Sequence, residues 1–151
     1  MKYYRFPFIT LIVGGLSLLL TCSSGPNQND PRQVVISLFG AMERNDQAAL
    51  AHILDLASLM RNTAEDYAVT TDSPRVFTDP RQILNDLTDG GLTKTRWFSM
   101  QRIVNNAAVM GETATVEVTF VDKNASKGYR TSFGLRKLND KWRIYSFKTF
   151  D

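Results

Sequence analysis

The chain has 151 residues, 43% of them hydrophobic and 22% charged, the balance of a globular domain and not of a disordered or collagen-like chain. Its formal net charge is +3, but Lys2 and Arg5 belong to an N-terminal leader; without those two, 16 basic residues face 15 acidic ones, and nothing marks a nucleic-acid binder. The single cysteine, Cys22, excludes an internal disulfide and a cysteine-based metal site, and neither metal nor cofactor is expected.

Lys2 and Arg5 precede an apolar run from Phe6 to Leu20, interrupted by Pro7, Thr10, Gly14-Gly15 and Ser17. A bilayer-spanning helix needs about 20 predominantly apolar residues. This run is shorter, and small polar residues follow it in place of a basic stop-transfer cluster. That is the pattern of a signal peptide over residues 1–21. Leu19-Leu20-Thr21-Cys22 resembles the lipobox of bacterial lipoproteins, departing from it at Thr21, where Gly, Ala or Ser is usual. The resemblance implies a diacylglycerol on the Cys22 sulfur, cleavage before Cys22 and acylation of the new amine. More than one chain suits stable anchoring, since each buried CH2 contributes only about 0.8 kcal/mol. The resemblance also implies a place in the cell envelope. Ser23, where a retention signal would have Asp, points to the periplasmic face of an outer membrane if the organism has one. An ordinary secreted protein with a spare thiol, or an uncleaved N-terminal anchor, remains open as the blander reading. Ser23 to Asn29 is polar with nothing to bury, so residues 22–29 read as lipidated cysteine and tether, and residues 30–151 as one domain.

Asp30 and Pro31 start a first helix: Asp caps, and Pro suits the first position, where its missing N–H would have had no partner. Val34, Val35, Leu38, Phe39, Ala41 and Met42 fall on one stripe to about Arg44, with Ile36 off it. Asp46 caps a second helix to about Leu54, on which Ala49, Leu50, Ile53, Leu54 and Ala57 cluster. Leu56 to Met60 extends it by a turn. Asn62 to Phe77 reads mostly as loop, with Thr71-Asp-Ser-Pro74 as a turn. Asp79-Pro80 repeats the start chemistry for a third helix bearing Ile83, Leu84 and Leu87 on one face, ended by Gly90-Gly91. Everything after Thr95 reads as strand: Trp97 to Met110, bulged near Asn105-Asn106, then a turn at Gly111-Glu112. Thr113 to Asp122 buries Ala114, Val116, Val118 and Phe120 by strict alternation. Tyr129 to Leu138 and Lys141 to Phe150 follow, joined by Asn139-Asp140.

That two-residue turn pairs Leu138 with Lys141. Lys137 then meets Trp142, Leu135 meets Ile144 and Phe133 meets Ser146 on the face toward the helices. Arg136 meets Arg143 and Gly134 meets Tyr145 on the other face, which also carries Arg130 and Phe147.

Helices followed by an antiparallel meander make an α+β class. Val34-Val35-Ile-Ser-Leu-Phe39, Asn45-Asp46-Gln-Ala-Ala-Leu50, Gly111-Glu-Thr-Ala-Thr-Val-Glu-Val118 and Lys141-Trp-Arg-Ile144, in that order, resemble small lipoproteins of the nuclear transport factor 2-like superfamily. The resemblance covers Asp30 to Asp151. It implies N-terminal helices packed on a curved antiparallel sheet, a cone-like, cystatin-like roll, whose cavity Trp97, Tyr129, Phe133 and Trp142 would line. It does not imply a chemistry. Ketosteroid isomerases and polyketide cyclases of that superfamily need a carboxylate base and an acid or oxyanion donor converging inside the cone, and no such pair can be placed here. The acids sit at caps (Asp30, Asp46, Asp79), on helix exteriors (Glu43, Asp86), in turns or on the outer sheet (Glu117). His52, with Asp55 one turn on, reads as a surface histidine. The leading expectation is a non-catalytic binding module anchored through Cys22. It works through the outer sheet face, with Arg130, Arg136, Arg143, Tyr145 and Phe147, or through the mouth of the cone, and takes a second copy or an envelope protein. Anionic envelope polymer or lipid headgroups are a second idea for that face. In the bland alternative Glu117 offsets the arginines on a solvated surface. An isomerase- or cyclase-type enzyme or a ligand carrier is the other expectation.

Overall fold

The computed structural model describes residues 27–66 and 77–150. Residues 1–21, read from the sequence as a signal peptide, Cys22, and residues 71–74, read as a turn, lie outside them. Among the described residues five helices, α1 (Pro31–Glu43), α2 (Gln47–Ile53), α3 (Leu56–Asp66), α4 (Pro80–Asp86) and α5 (Leu92–Phe98), precede four strands, β1 (Gln101–Met110), β2 (Thr113–Asp122), β3 (Lys127–Leu138) and β4 (Lys141–Phe150). The strands form one antiparallel sheet in sequential order, curved around the helices, so the chain is α+β.

The start signals act as read. The Asp30 side chain accepts from the Arg32 N–H, and Asp79 with Gln82 closes a capping box. The whole apolar stripe of α1 is buried, while Ile36 stays exposed. After Ile53 the chain departs from the expected continuation. Leu54 is extended, with φ −92° and ψ 141°, and lies parallel beside Ile144 on the edge of β4. The Asp55 N–H donates to the Ile144 carbonyl at 2.8 Å. A new helix then starts from Asp55, whose carboxylate accepts from the Ser58 N–H at 3.2 Å. The break resets the helical phase, which leaves Ala57 exposed and buries Ser58 and Leu59. It also carries helix through residue 66, where loop was expected.

The second departure is α5. The helix expected from Asp79, α4, ends at Asp86, before the glycine pair, and Gly91 is instead the cap residue of a further helix that takes in Trp97 and Phe98, read as the start of a strand. Asp86 is buried there, not on a helix exterior; its carboxylate accepts from the Thr93 N–H at 3.4 Å and from the Thr93 hydroxyl.

In the sheet, Asn105 and Asn106 both lie opposite Glu117, the expected bulge. The β3–β4 turn places Asn139 and Asp140 at φ 52° and 58°, as a tight hairpin requires. Pairing follows the expected register from Leu138–Lys141 to Leu135–Ile144. There it changes: Gly134 pairs with Ser146 and Phe133 with Phe147, so Tyr145 is an extra, bulged residue. One inserted residue reverses the faces of everything after it. Phe147 is therefore 2% exposed in the core and does not belong to the outer face.

Gly134 makes the bulge fit. A Cβ there would lie 2.4 Å from the Ser146 Oγ and 3.1 Å from the Tyr145 ring. We expect Gly134→Ala to lower the unfolding free energy by about 1–2 kcal/mol through overpacking, read as a lower urea midpoint. An unchanged midpoint would mean that Tyr145 and Ser146 move aside freely.

Candidate functional site

The two faces of the sheet differ in kind. Toward the helices, Phe39 of α1, Trp97 of α5, Phe120 of β2, Phe133 of β3 and Phe147 of β4 meet ring against ring, with centroids 5.3–6.1 Å apart. Most of these contacts are edge-on and Trp97 stacks on Phe120, the geometries aromatic rings prefer. Arg102 closes one side of this cluster, its guanidinium 3.9 Å from the Phe98 ring centroid and donating to the Trp97 carbonyl at 2.9 Å. Burial lowers the Arg102 pKa, the Glu43 carboxylate acts in the other direction, and an arginine stays charged regardless.

The four residues expected to line a cavity do not form one wall. Trp97 and Phe133 pack on each other, 5.6 Å between centroids. Tyr129, half-buried beneath Arg96 and Lys127, stands at the β2–β3 turn. Trp142 pairs with Lys137, eight residues along β3 from Tyr129, a separation of roughly 27 Å. Among the described residues, no group of three or more His, Cys, Asp or Glu could hold a metal ion.

The outer face carries Thr113, Thr115, Glu117 and Thr119 of β2 and Arg130, Ser132, Gly134 and Arg136 of β3. Ile103, 47% exposed, lies on the same side of β1. Here the arginines have separate fates. Arg130 pairs with Glu117 at 3.8 Å, and Asn105 donates to the same carboxylate at 3.4 Å. Both charged side chains are largely open to solvent, so this pair contributes at most about 1 kcal/mol. Glu117 thus offsets Arg130, as the bland reading had it, but not Arg136.

Arg136 reaches across β4, over the Tyr145 ring at 5.6 Å, to the start of α3. It forms a charged hydrogen bond with the Asp55 carboxylate and donates to the Ser58 hydroxyl at 2.8 Å. Arg61 donates to the same hydroxyl at 2.9 Å. Burial is the largest single influence on Asp55 and opposes its ionisation. The hydrogen bonds from Arg136 and from the Ser58 N–H and hydroxyl, with the Arg136 charge, together outweigh it, and the pKa is lowered. Arg136 is therefore a staple between α3 and the sheet, not a free contact residue. The side chain of Arg143, directly opposite it, makes no hydrogen bond or ion pair among the described residues, and its Nε is buried without a partner. Of the outer-face residues expected, Arg130, Arg143 and Tyr145 remain on the surface, Arg136 is engaged and Phe147 is inside.

Asp55 and Ser58 were missed as a pair. Their spacing, an acid three residues before a serine where one helical pattern ends, is a start signal that could have been read. His52 is exposed, and its carbonyl accepts from the Gln28 amide at 2.8 Å.

Neither a protein-family model nor a curated protein sequence matches the chain. Solved structures do. Rd1NTF2_05, a variant carrying five substitutions, is 16% identical; the match covers 79% of this chain and 95% of that one, with a TM-score of 0.53. An NTF-2 like protein of unknown function from Silicibacter pomeroyi is also 16% identical, over 78% of this chain and 88% of its own, with a TM-score of 0.48. At such identities the likeness concerns the fold alone. Five helices on a curved four-stranded meander, with the aromatic cluster between them, give this chain the nuclear transport factor 2-like fold.

Proposed function

We propose that the protein is a lipid-anchored envelope protein whose domain is a non-catalytic binding module working through the outer face of its sheet. The observation that carries this reading is the ring cluster of Phe39, Trp97, Phe120, Phe133 and Phe147, which occupies the centre of the cone where the isomerase or cyclase reading places a reacting ligand. The outer face supplies what a partner surface uses: exposed Ile103, the Arg130–Glu117 pair, and Arg143 with no partner among the described residues. The lipobox-like Leu19-Leu20-Thr21-Cys22 supports the anchor.

A photocrosslinking residue in place of Ile103, in the full-length protein in cells, tests the reading. A discrete adduct is expected that weakens with Arg130→Glu, and its mass tells a second copy from another envelope protein. The same probe at Asn124, in the β2–β3 turn, serves as control. Adducts no stronger at position 103 than at 124 would count against this face. Arg136→Glu is unsuitable here, because it would set a second carboxylate against Asp55 and remove the staple.

A further inference from the structure

The N-terminal segment joins the domain at a defined corner. The Trp142 N–H donates to the Gln28 carbonyl at 3.0 Å, and the Gln28 amide donates to the carbonyls of His52 and Trp142. Lys141 donates to Asn29 at 3.0 Å. Gln28 and Asn29, read from sequence as tether, are thus part of the domain.

Cys22 and Asn27 are five residues apart, and a chain of that length reaches at most about 18 Å. The headgroup layer takes up roughly 6 Å of that. A domain held by lipid at Cys22 therefore keeps Asn27 within about a dozen ångströms of the bilayer surface, and its Gln28 corner within about 16 Å. The strands are 10–12 residues long, which puts the two ends of the sheet roughly 35 Å apart.

The end at that corner is recognisable. Trp142 pairs with Lys137, and the Lys137 N–H donates to the Glu112 carbonyl at 2.9 Å, so the Asn139-Asp140 and Gly111-Glu112 turns stand side by side. Next to the second turn, Met110 is 80% exposed and Val109 54%. Lys137 and Lys141 lie at the same end of the sheet, the Lys137 ammonium over the Trp142 ring and the Lys141 ammonium on Asn29, and Glu112 and Asp140 balance their charge. Chain length and apolar exposure, more than charge, distinguish this end from the Lys123–Lys127 turn opposite.

We infer that the end of the sheet bearing the Gly111-Glu112 and Asn139-Asp140 turns faces the bilayer that holds the anchor, with Met110 and Val109 entering the headgroup–acyl boundary. The outer face then stands roughly perpendicular to the membrane, open to a partner from the side. This inference rests on the lipid-anchor reading.

The test uses the full chain, processed in cells and reconstituted into phosphatidylcholine vesicles with quencher-bearing acyl chains. Cys22 is the single cysteine and its sulfur would carry the lipid, so Met110→Cys and, separately, Asn124→Cys each take one environment-sensitive fluorophore. The label at position 110 is expected to shift to the blue and be quenched several-fold more than the label at 124. If the protein carries its lipid and floats with vesicles but the two labels behave alike, the orientation is overturned and the anchor stands. If mass spectrometry finds no lipid on Cys22, both fall.

Discussion

Phe133→Ala is expected to lower the unfolding free energy by about 3–5 kcal/mol, the range for a large aromatic removed from a closed core. Phe133 has no solvent exposure and its ring meets those of Phe39, Trp97 and Phe147. Truncation forfeits the transfer energy of the ring and leaves a space lined by three more rings. Those rings are fixed by α1, α5 and β4, so the site can collapse only in part. Phe133→Leu keeps most of the volume and is expected to cost about 1.5 kcal/mol or less. Urea denaturation of both variants measures this. A loss below about 1 kcal/mol for the alanine variant would mean the centre of the cone is loosely filled, and the ligand-carrier reading would regain ground.

Asp55→Ala is expected to cost about 3 kcal/mol, since it removes several contacts at once. The start of α3 loses a cap worth about 1 kcal/mol. The remainder comes from leaving Arg136 beside buried Ser58 without its counter-charge, below the 3–5 kcal/mol of a fully buried pair because Arg136 is partly open to solvent. Asp55→Asn keeps a capping side chain and loses the charge, so it separates the two contributions. The pH dependence has a definite sign. The Asp55 carboxyl titrates below its ordinary 3.8 in the folded protein. The native state therefore favours the carboxylate, and the resulting stability is fully present above about pH 4 and is lost as pH falls through the folded value. The difference between wild type and Asp55→Asn should shrink as pH drops below 4. A difference that stays constant down to pH 2 would mean the Arg136 contact is not charge-dependent.

These two residues also mark what could be read from the letters and what could not. The packing of Phe39, Phe120 and Phe133 into one interior was legible, because α1 and β2 carry unbroken periods of 3.6 and 2 and the Asn139-Asp140 turn sets the hairpin register. Phe147 was misplaced because counting by twos assumes no inserted residue. The one local hint was Gly134 within an otherwise regular strand, a common sign of a bulge or a close approach. The helix α5 was hidden by its own composition: Leu92–Phe98 carries two threonines, a tryptophan and a phenylalanine, which favour strands, and tertiary packing of Trp97 overrides them. The Arg136–Asp55 contact joins residues 81 apart. Its two ends look unremarkable locally, an outward strand arginine and an acid between two helices, and only the passage of Leu54 along β4 brings them together.

The staple and the bulge reshape the outer face. They withdraw Arg136 and Phe147 and leave Arg130, Arg143, Tyr145 and Ile103 on it. The binding-module reading and the orientation at the bilayer share one premise, which is that the polypeptide is fastened at Cys22. Intact-mass analysis of the mature protein purified from membranes tests that premise most directly. The account predicts an N-terminus at Cys22 bearing diacylglycerol and an acyl chain, with Cys22→Ser leaving the membrane fraction. An unmodified mature N-terminus, or one at any other residue, would contradict it.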